Sequence, residues 1–131
     1  MILLPDPLSI GALSLRLAVA AVFIAHGPPK WRHPEGLAGA TGLPVWFGKF
    51  LGAAETVGAL ALFFGILVQP AAIGLALIMV GALRYHLFVW KTPFTAMGKG
   101  GWEFDLTLLA ACTTLVTLGG GGLTLGNLLG W

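Results

Sequence analysis

Charged residues are scarce in this chain of 131 residues, in which Asp, Glu, Lys and Arg together make up 9% and hydrophobic residues 57%. A soluble globular protein carries about 25% charged residues. So few polar groups could not cover the surface of a soluble fold, and the mean hydropathy of +0.92 points the same way. The composition predicts an integral membrane protein whose surface faces lipid.

Cysteine is also scarce, because Cys112 is the single one in the chain. One cysteine cannot form an internal disulfide or a CxxC redox pair, which argues against dithiol chemistry within the chain. The seven Lys and Arg residues are scattered and form no basic stripe of the kind that binds nucleic acid. The N-terminus lacks the basic region of a cleavable signal peptide.

Long apolar segments are what the chain has in abundance, and a membrane-spanning helix needs about 20 mostly apolar residues. Asp6-Pro7 is typical of a helix N-terminus, and Gly27-Pro28-Pro29 is expected to end the first span. The residues from 119 onward could extend the last of these helices or lie at the membrane interface. The sequence predicts an all-α fold, a single integral membrane domain built as an antiparallel four-helix bundle. Its predicted spans cover about residues 8–26, 45–68, 70–90 and 102–118, and a glycine-rich tail covers 119–131.

Basic residues mark two of the connections between these spans. Lys30 and Arg32 follow the first span, Lys49 lies just inside the second, and Lys91 and Lys99 lie between the third and fourth. The positive-inside rule therefore predicts that loops 27–44 and 91–101 are cytoplasmic and that both termini lie outside. The expected location is the cytoplasmic (inner) membrane of a bacterium or archaeon.

Small residues recur on one face of the second span. Gly48 and Gly52 form a GxxxG pair, which lets two helix backbones approach closely. This pattern fits packing within the chain, and it also fits a homodimer through the Gly48/Gly52 face.

Glu55 stands alone in the apolar run LGAAETVGALALFFG at residues 51–65. At 1.5 Å per residue it would lie about 15 Å inside the second span, where an isolated charge costs at least about 2.5–3.5 kcal/mol. Arg16 is expected at a matching depth in the first span. We therefore expect Arg16 and Glu55 to pair, either as a staple between two helices or as the floor of a ligand cavity.

Other polar residues gather at the same predicted boundary, because an even number of spans brings four helix ends together. Each has a simpler explanation as well. Glu103 and Asp105 open a helix, where carboxylates favour the positive end of the helix dipole, Arg84 could snorkel toward headgroups, and His26 could cap carbonyls. The candidate ligand or proton-relay residues are Arg16, His26, Glu55, Arg84, His86, Glu103 and Asp105.

Metal and haem sites are not favoured. Axial haem ligation by His26 and His86 is conceivable, but both lie at helix ends beside charged residues. The histidines lack zinc-site spacing with the one cysteine. The GKGG stretch at 98–101 lacks the Walker spacing of a phosphate-binding loop.

Three stretches together resemble the DoxX family of small four-helix membrane proteins: LRLAVAAVFIAHGPPKW (15–31), ETVGALALFFGI (55–66) and GWEFDLTLLAA (101–111). The family is named after a small membrane subunit of an archaeal thiosulfate:quinone oxidoreductase, and relatives are associated with quinone or catechol stress. The resemblance covers nearly the whole chain. Its matching positions are Arg16, His26, Glu55, Glu103 and Asp105, and it implies no established catalytic residue.

These observations leave three hypotheses open. In the first, the protein is a quinone-binding or redox-associated membrane subunit with a polar pocket in its cytoplasmic-side half, and it takes electrons from a partner subunit or substrate. In the second, it is a non-catalytic membrane anchor or assembly subunit that docks a protein partner. In the third, it is a small proton-coupled transporter. A cavity that reaches Glu55 favours the first, a solid interior the second, and a path across both halves the third.

Overall fold

The computed structural model describes residues 5–98 and 100–130, and in those residues it contains only helices and loops. Two residues of the sequence predictions lie outside the described residues: Lys99, a basic residue of the predicted loop 91–101, and Trp131 of the predicted tail 119–131. The elements are α1 (Pro7–Arg32), α2 (Glu35–Thr41), α3 (Val45–Phe64), α4 (Val68–Arg84) with a π-helical turn after it (Tyr85–Val89), α5 (Trp102–Leu118) and α6 (Leu125–Leu128).

Three helices in the described part of the chain are long and apolar enough to cross a membrane: α1, α3, and α4 with its π-helical turn. α5 has 17 residues, about 25 Å at 1.5 Å per residue, and its crossing stays a prediction. Val57, Leu77 and Phe88 are more than half exposed, as expected for a surface that faces lipid. The all-helical, multi-pass membrane fold predicted from composition is confirmed.

The bundle has two unlike ends. The loop end carries the connections 33–44 and 90–101, and the turn end carries the α3–α4 turn, the start of α1 and the segment 119–130. α1 begins at the turn end with Asp6 as N-cap, whose carboxylate accepts from the Ser9 N–H at 2.8 Å and from the Ser9 hydroxyl at 2.7 Å. These hydrogen bonds hold the pKa of the Asp6 carboxyl below its ordinary value.

Gly27-Pro28-Pro29 does not end the first helix, so that prediction was wrong. α1 continues through both prolines to Arg32. Prolines are tolerated in helices that pack inside membrane bundles, because neighbouring groups compensate for the lost hydrogen bonds. Here the tight packing of α1 on α3 holds this stretch in the helical path, which adds almost two turns beyond His26.

α1 and α3 pack more closely than any other pair, and glycines make this possible. A Cβ built on Gly52 would lie 2.6 Å from the Gly27 carbonyl oxygen and 2.6 Å from the Trp31 backbone nitrogen. Gly48 is buried against Pro34. Of the two interpretations of the Gly48/Gly52 face, the structure shows packing within the chain, which already covers the face that a homodimer would use.

α3 and α4 are joined by a short turn in which Gly65, with φ +71°, is the C-cap of α3. Gly58 of α3 packs on Leu75 of α4, and α5 packs along α4. The buried core includes Val19, Ala20, Phe23, Ala59, Leu62, Ala72, Leu75, Leu108, Cys112 and Leu115.

The tail neither extends α5 nor lies apart from the bundle. α5 ends at Gly119, which has φ +72°, and the segment 119–130 folds back over the turn end. Three hydrogen bonds fasten it: Arg16 Nη2 donates to the Leu123 carbonyl at 2.8 Å, the Gly122 N–H to Ser9 Oγ at 2.7 Å, and the Gly126 N–H to the Gly65 carbonyl at 3.1 Å. The turn end is therefore covered by the chain's own C-terminal segment.

Candidate ligand cavity at the loop end

A cavity of about 530 Å³ lies at the loop end, between α1, α3, α4 and α5, with part of α2 over it. Ligand sites for small organic molecules occupy about 300–1,000 Å³ and are mostly apolar, with a few polar groups that orient the ligand. This cavity has that character. The polar side chains that line it are His26, Lys30, Thr41, Glu55, Tyr85, His86 and Asp105.

Glu55 is paired with Lys30 across the close contact of α1 and α3. The Lys30 ammonium donates to Glu55 Oε1 at 2.6 Å, where the Glu55 side chain is completely buried and the Lys30 side chain is 28% exposed. Lys30 lies within hydrogen-bond reach because α1 continues past its prolines and because Gly52 leaves room for the Lys30 stem.

The predicted pair of Arg16 with Glu55 was wrong, because the two residues lie at different depths. On the antiparallel helices α1 and α3, Arg16 is level with Gly65, and Glu55 is ten residues, or about 15 Å, further toward the loop end. The error came from ending the first helix at His26, which shifted its expected register on α3. Arg16 is buried at the turn end and binds the Leu123 carbonyl instead.

His86 and Asp105 form a second pair of a base and an acid at the cavity, with His86 Nε2 and Asp105 Oδ2 3.6 Å apart. His86 lies in the π-helical turn, where the Trp90 N–H donates to the Tyr85 carbonyl at 2.8 Å. Such wide turns within α-helices are frequent at functional sites. The Trp90 ring packs edge-on against the His86 ring at 4.9 Å between centroids and also lines the cavity.

In both pairs the basic side chain is partly exposed and the carboxylate is buried. The Lys30 and His86 side chains are 28% and 25% exposed, whereas those of Glu55 and Asp105 are 0% and 9% exposed. The Glu55 carboxylate orients the Lys30 ammonium and balances its positive charge, and the Asp105 carboxylate lies beside His86 Nε2. The Lys30 ammonium has three N–H donors and gives one to Glu55, so it can donate to ligand atoms that accept, such as carbonyl oxygens.

His26 lines the same cavity on α1, one helical turn before Lys30. Its Nδ1 donates to the Val22 carbonyl at 2.8 Å, so Nε2 is the nitrogen left for a ligand. The His26 ring lies 5.4 Å from the Phe104 ring. Four of the seven candidate residues therefore meet at one cavity: His26, Glu55, His86 and Asp105.

The other three candidates do not line the cavity. Arg16 lies at the turn end, Arg84 is exposed on α4, and Glu103 lies on a different side of α5 from Asp105, as their spacing of two residues requires. Across residues 5–98 and 100–130, no group of three or more His, Cys, Asp and Glu side chains is arranged to hold a metal ion.

Four lining residues with polar groups were absent from the candidate set: Lys30, Thr41, Tyr85 and Trp90. Lys30 could have been found from its spacing of four residues after His26, had the helix been continued through the prolines. Tyr85 and Trp90 line the cavity because of the π-helical turn. No pattern in the sequence predicts such a turn.

Comparison with known proteins agrees with this architecture. The DoxX family model matches residues 11–90, which run from the second turn of α1 through the π-helical turn and include His26, Lys30, Glu55 and His86. The chain belongs to the DoxX family. It is also 32% identical over 113 residues to a Bacillus subtilis (strain 168) protein named "Putative oxidoreductase CatD", and the match covers 84% of this chain and 80% of that protein. No solved structure matches the chain significantly.

Membership of the DoxX family accounts for the helical membrane fold, and the name of the Bacillus relative is that of an oxidoreductase. The family match ends at Trp90, so Asp105 on α5 lies outside the matched residues. The cavity thus combines side chains from the matched part of the chain with those of Phe104, Asp105 and Leu108 from α5.

Proposed function

We propose that this DoxX-family protein binds a quinone in the loop-end cavity and works as the membrane subunit of a quinone-linked redox system. The observation that carries the proposal is the Lys30 ammonium, held by the buried Glu55 carboxylate at the wall of an apolar cavity, with the His86–Asp105 pair at the same cavity. A quinone has two carbonyl oxygens on an apolar ring, which matches donors in apolar surroundings. The name of the relative from Bacillus subtilis supports a redox role.

In this proposal, the Lys30 ammonium donates a hydrogen bond to a quinone oxygen, and Glu55 holds Lys30 in place. The His86–Asp105 pair lies at the wall of the same cavity. Phe23, Phe47 and Phe104 line the cavity and would pack on the ring. When a partner subunit supplies electrons, the quinone oxygens must gain protons, and the two base–carboxylate pairs lie where such protons would be delivered.

The alternatives fit the structure less well. An anchor or assembly subunit needs no cavity, yet about 530 Å³ of space reaches Glu55. A proton-coupled transporter needs a path through both halves, whereas the segment 119–130 covers the turn end and Arg16 fastens it there. Both observations favour a binding site with access from one side.

Quinone titration of the purified protein tests the proposal, with quenching of tryptophan fluorescence as the signal because Trp90 lines the cavity. We expect saturable binding that weakens about tenfold in Glu55→Gln and in Asp105→Asn, since each substitution removes a carboxylate that lies beside a basic side chain of the cavity wall. Glu35→Gln is the matched control, because Glu35 is an exposed carboxylate outside the cavity. Unsaturable quenching, or equal affinity in all four proteins, would contradict the proposal.

A further inference from the structure

The wall of the cavity has a gap at Gly81 on α4. Gly81 lines the cavity and is also exposed on the surface of the bundle. A Cβ built there would meet no heavy atom of residues 5–98 and 100–130 within 4 Å. The same face of α4 carries Leu77, one turn earlier, and continues to Phe88, which are 67% and 73% exposed. The cavity therefore meets the lipid-facing surface at a residue that has no side chain.

The position of Gly81 along the bundle fits this interpretation. Gly58 of α3 packs on Leu75 of α4, which closes these two helices together toward the turn end. Further toward the loop end, Leu51 of α3 and Ile78 of α4 both line the cavity. α3 and α4 thus separate around the cavity at the level of Gly81, within the apolar stretch Val68–Val89.

The end of the cavity that faces the loops is covered. Leu37, Thr41 and Leu43 line it from α2 and the residues after α2. The Trp90 indole N–H donates to the Ala40 carbonyl at 3.0 Å and fastens α2 in that position. On the other side, the Glu103 N–H donates to the Phe94 carbonyl at 3.1 Å. A ligand that enters through the lipid-facing gap therefore has to break fewer contacts of the protein than a ligand that enters through the loops.

We propose that Gly81 forms a lateral portal through which the apolar tail of a bound quinone passes into the bilayer. The ligand class is then a lipid-soluble quinone with a long alkyl or isoprenoid chain, and a small water-soluble quinone would use the ring site alone. This inference rests on the proposed function, because it names the substrate class of the same cavity.

Two quinones and two glycine substitutions test the portal in lipid nanodiscs. The probes are a benzoquinone with a long alkyl chain and the same ring with a methyl group in place of the chain. Gly81→Leu places a branched side chain in the gap. Gly74→Leu is the matched control, since Gly74 lies two turns earlier on the same exposed face of α4, has equal space around it and does not line the cavity.

We expect Gly81→Leu to bind the long-chain quinone about tenfold more weakly, because its tail loses apolar contact area and its path. Binding of the methyl analogue should stay within about twofold, and Gly74→Leu should match the wild type for both ligands. Melting curves of all three proteins check folding, and Gly81→Ala serves as a smaller obstruction if the leucine variant unfolds. Equal loss of both ligands, or no loss of either in Gly81→Leu, overturns the portal and leaves the quinone site. If the wild type binds neither quinone, the proposed function fails as well.

Discussion

At the scale of single residues, the main feature is an ammonium group held in front of a completely buried carboxylate. Lys30 and Glu55 meet at 2.6 Å, and within the described residues the other carboxylate oxygen of Glu55 has no hydrogen-bond partner. Removing one partner of a buried ion pair destabilises a protein by more than the pair contributes to its stability, because the remaining charge stays buried without a counter-charge. Lys30 and Glu55 are therefore best regarded as one neutral unit.

Substitutions of this pair should be strongly non-additive. Lys30→Met leaves the Glu55 carboxylate buried without a counter-charge and should lower the free energy of unfolding by about 3 kcal/mol. The double variant Lys30→Met with Glu55→Gln buries no charge and should recover most of that loss. Thermal unfolding in detergent checks both, with Lys49→Met, an exposed lysine outside the cavity, as control. A double variant as unstable as the sum of its single variants would show that the two residues do not interact.

Arg16 is a second buried cation, and its surroundings depend on Gly65. A Cβ at Gly65 would collide with Arg16 Nη1 and with Thr124, and Gly65 also has φ +71°. Gly65→Ala should therefore destabilise the protein by more than the roughly 1–3 kcal/mol expected from backbone strain alone. It should also release the C-terminal segment, which limited proteolysis would detect.

Gly42→Ala separates strain from collision. Gly42 ends α2 with φ +72°, and a Cβ there meets nothing among the described residues within 4 Å. This variant should show the cost of strain only and should keep its C-terminal segment resistant to protease. Equal effects of the two substitutions would mean that the Arg16 contact contributes little.

At the scale of the elements, the decisive fact is the length of α1. Apolar length and the Asp6-Pro7 start were sufficient to predict where this helix begins, but the prolines gave a false end. Tertiary packing overrode the local signal: at Gly27 and Gly52 the two backbones approach too closely for side chains. The misplaced helix end is why Arg16 was chosen as the partner of Glu55 and why Lys30 was left out of the candidate set.

Gly52→Ala tests the role of this close contact. A Cβ there would press on the Gly27 carbonyl, the Trp31 nitrogen and the Lys30 stem. We expect a loss of about 1–3 kcal/mol in unfolding free energy from overpacking and weaker quinone binding, because Lys30 moves. Gly74→Ala adds the same methyl group in open space and should be neutral or slightly stabilising. A Gly52→Ala protein with wild-type stability would contradict the packing of α1 on α3.

At the scale of the whole molecule, the main feature is the difference between the two ends of the bundle. The loop end holds the cavity and the acid–base pairs, and the turn end is covered by the C-terminal segment. The sequence was enough to predict the helical membrane fold and the gathering of polar groups at one end, because both follow from composition and segment length. The pairings and the π-helical turn were not predictable, because they depend on helix register and on contacts between distant residues.

The charges at the two ends predict their orientation in the membrane. Lys30, Arg32, Lys49 and Lys91 lie at the loop end, whereas Asp6 lies at the turn end, so the loop end is predicted to face the cytoplasm. A C-terminal fusion to alkaline phosphatase, which is active only outside the cytoplasm, should be active. A C-terminal fluorescent protein that matures only in the cytoplasm should stay dark. The reverse pattern would place the cavity on the opposite side of the membrane.

The most direct test of the quinone site is mass spectrometry of an organic extract from gently purified protein. The account predicts a long-chain quinone in near-stoichiometric amount with the wild type and in much smaller amount with Asp105→Asn, whereas Glu35→Gln should retain it. An extract that holds only phospholipid at adequate recovery would contradict a quinone site at Lys30, Glu55, His86 and Asp105.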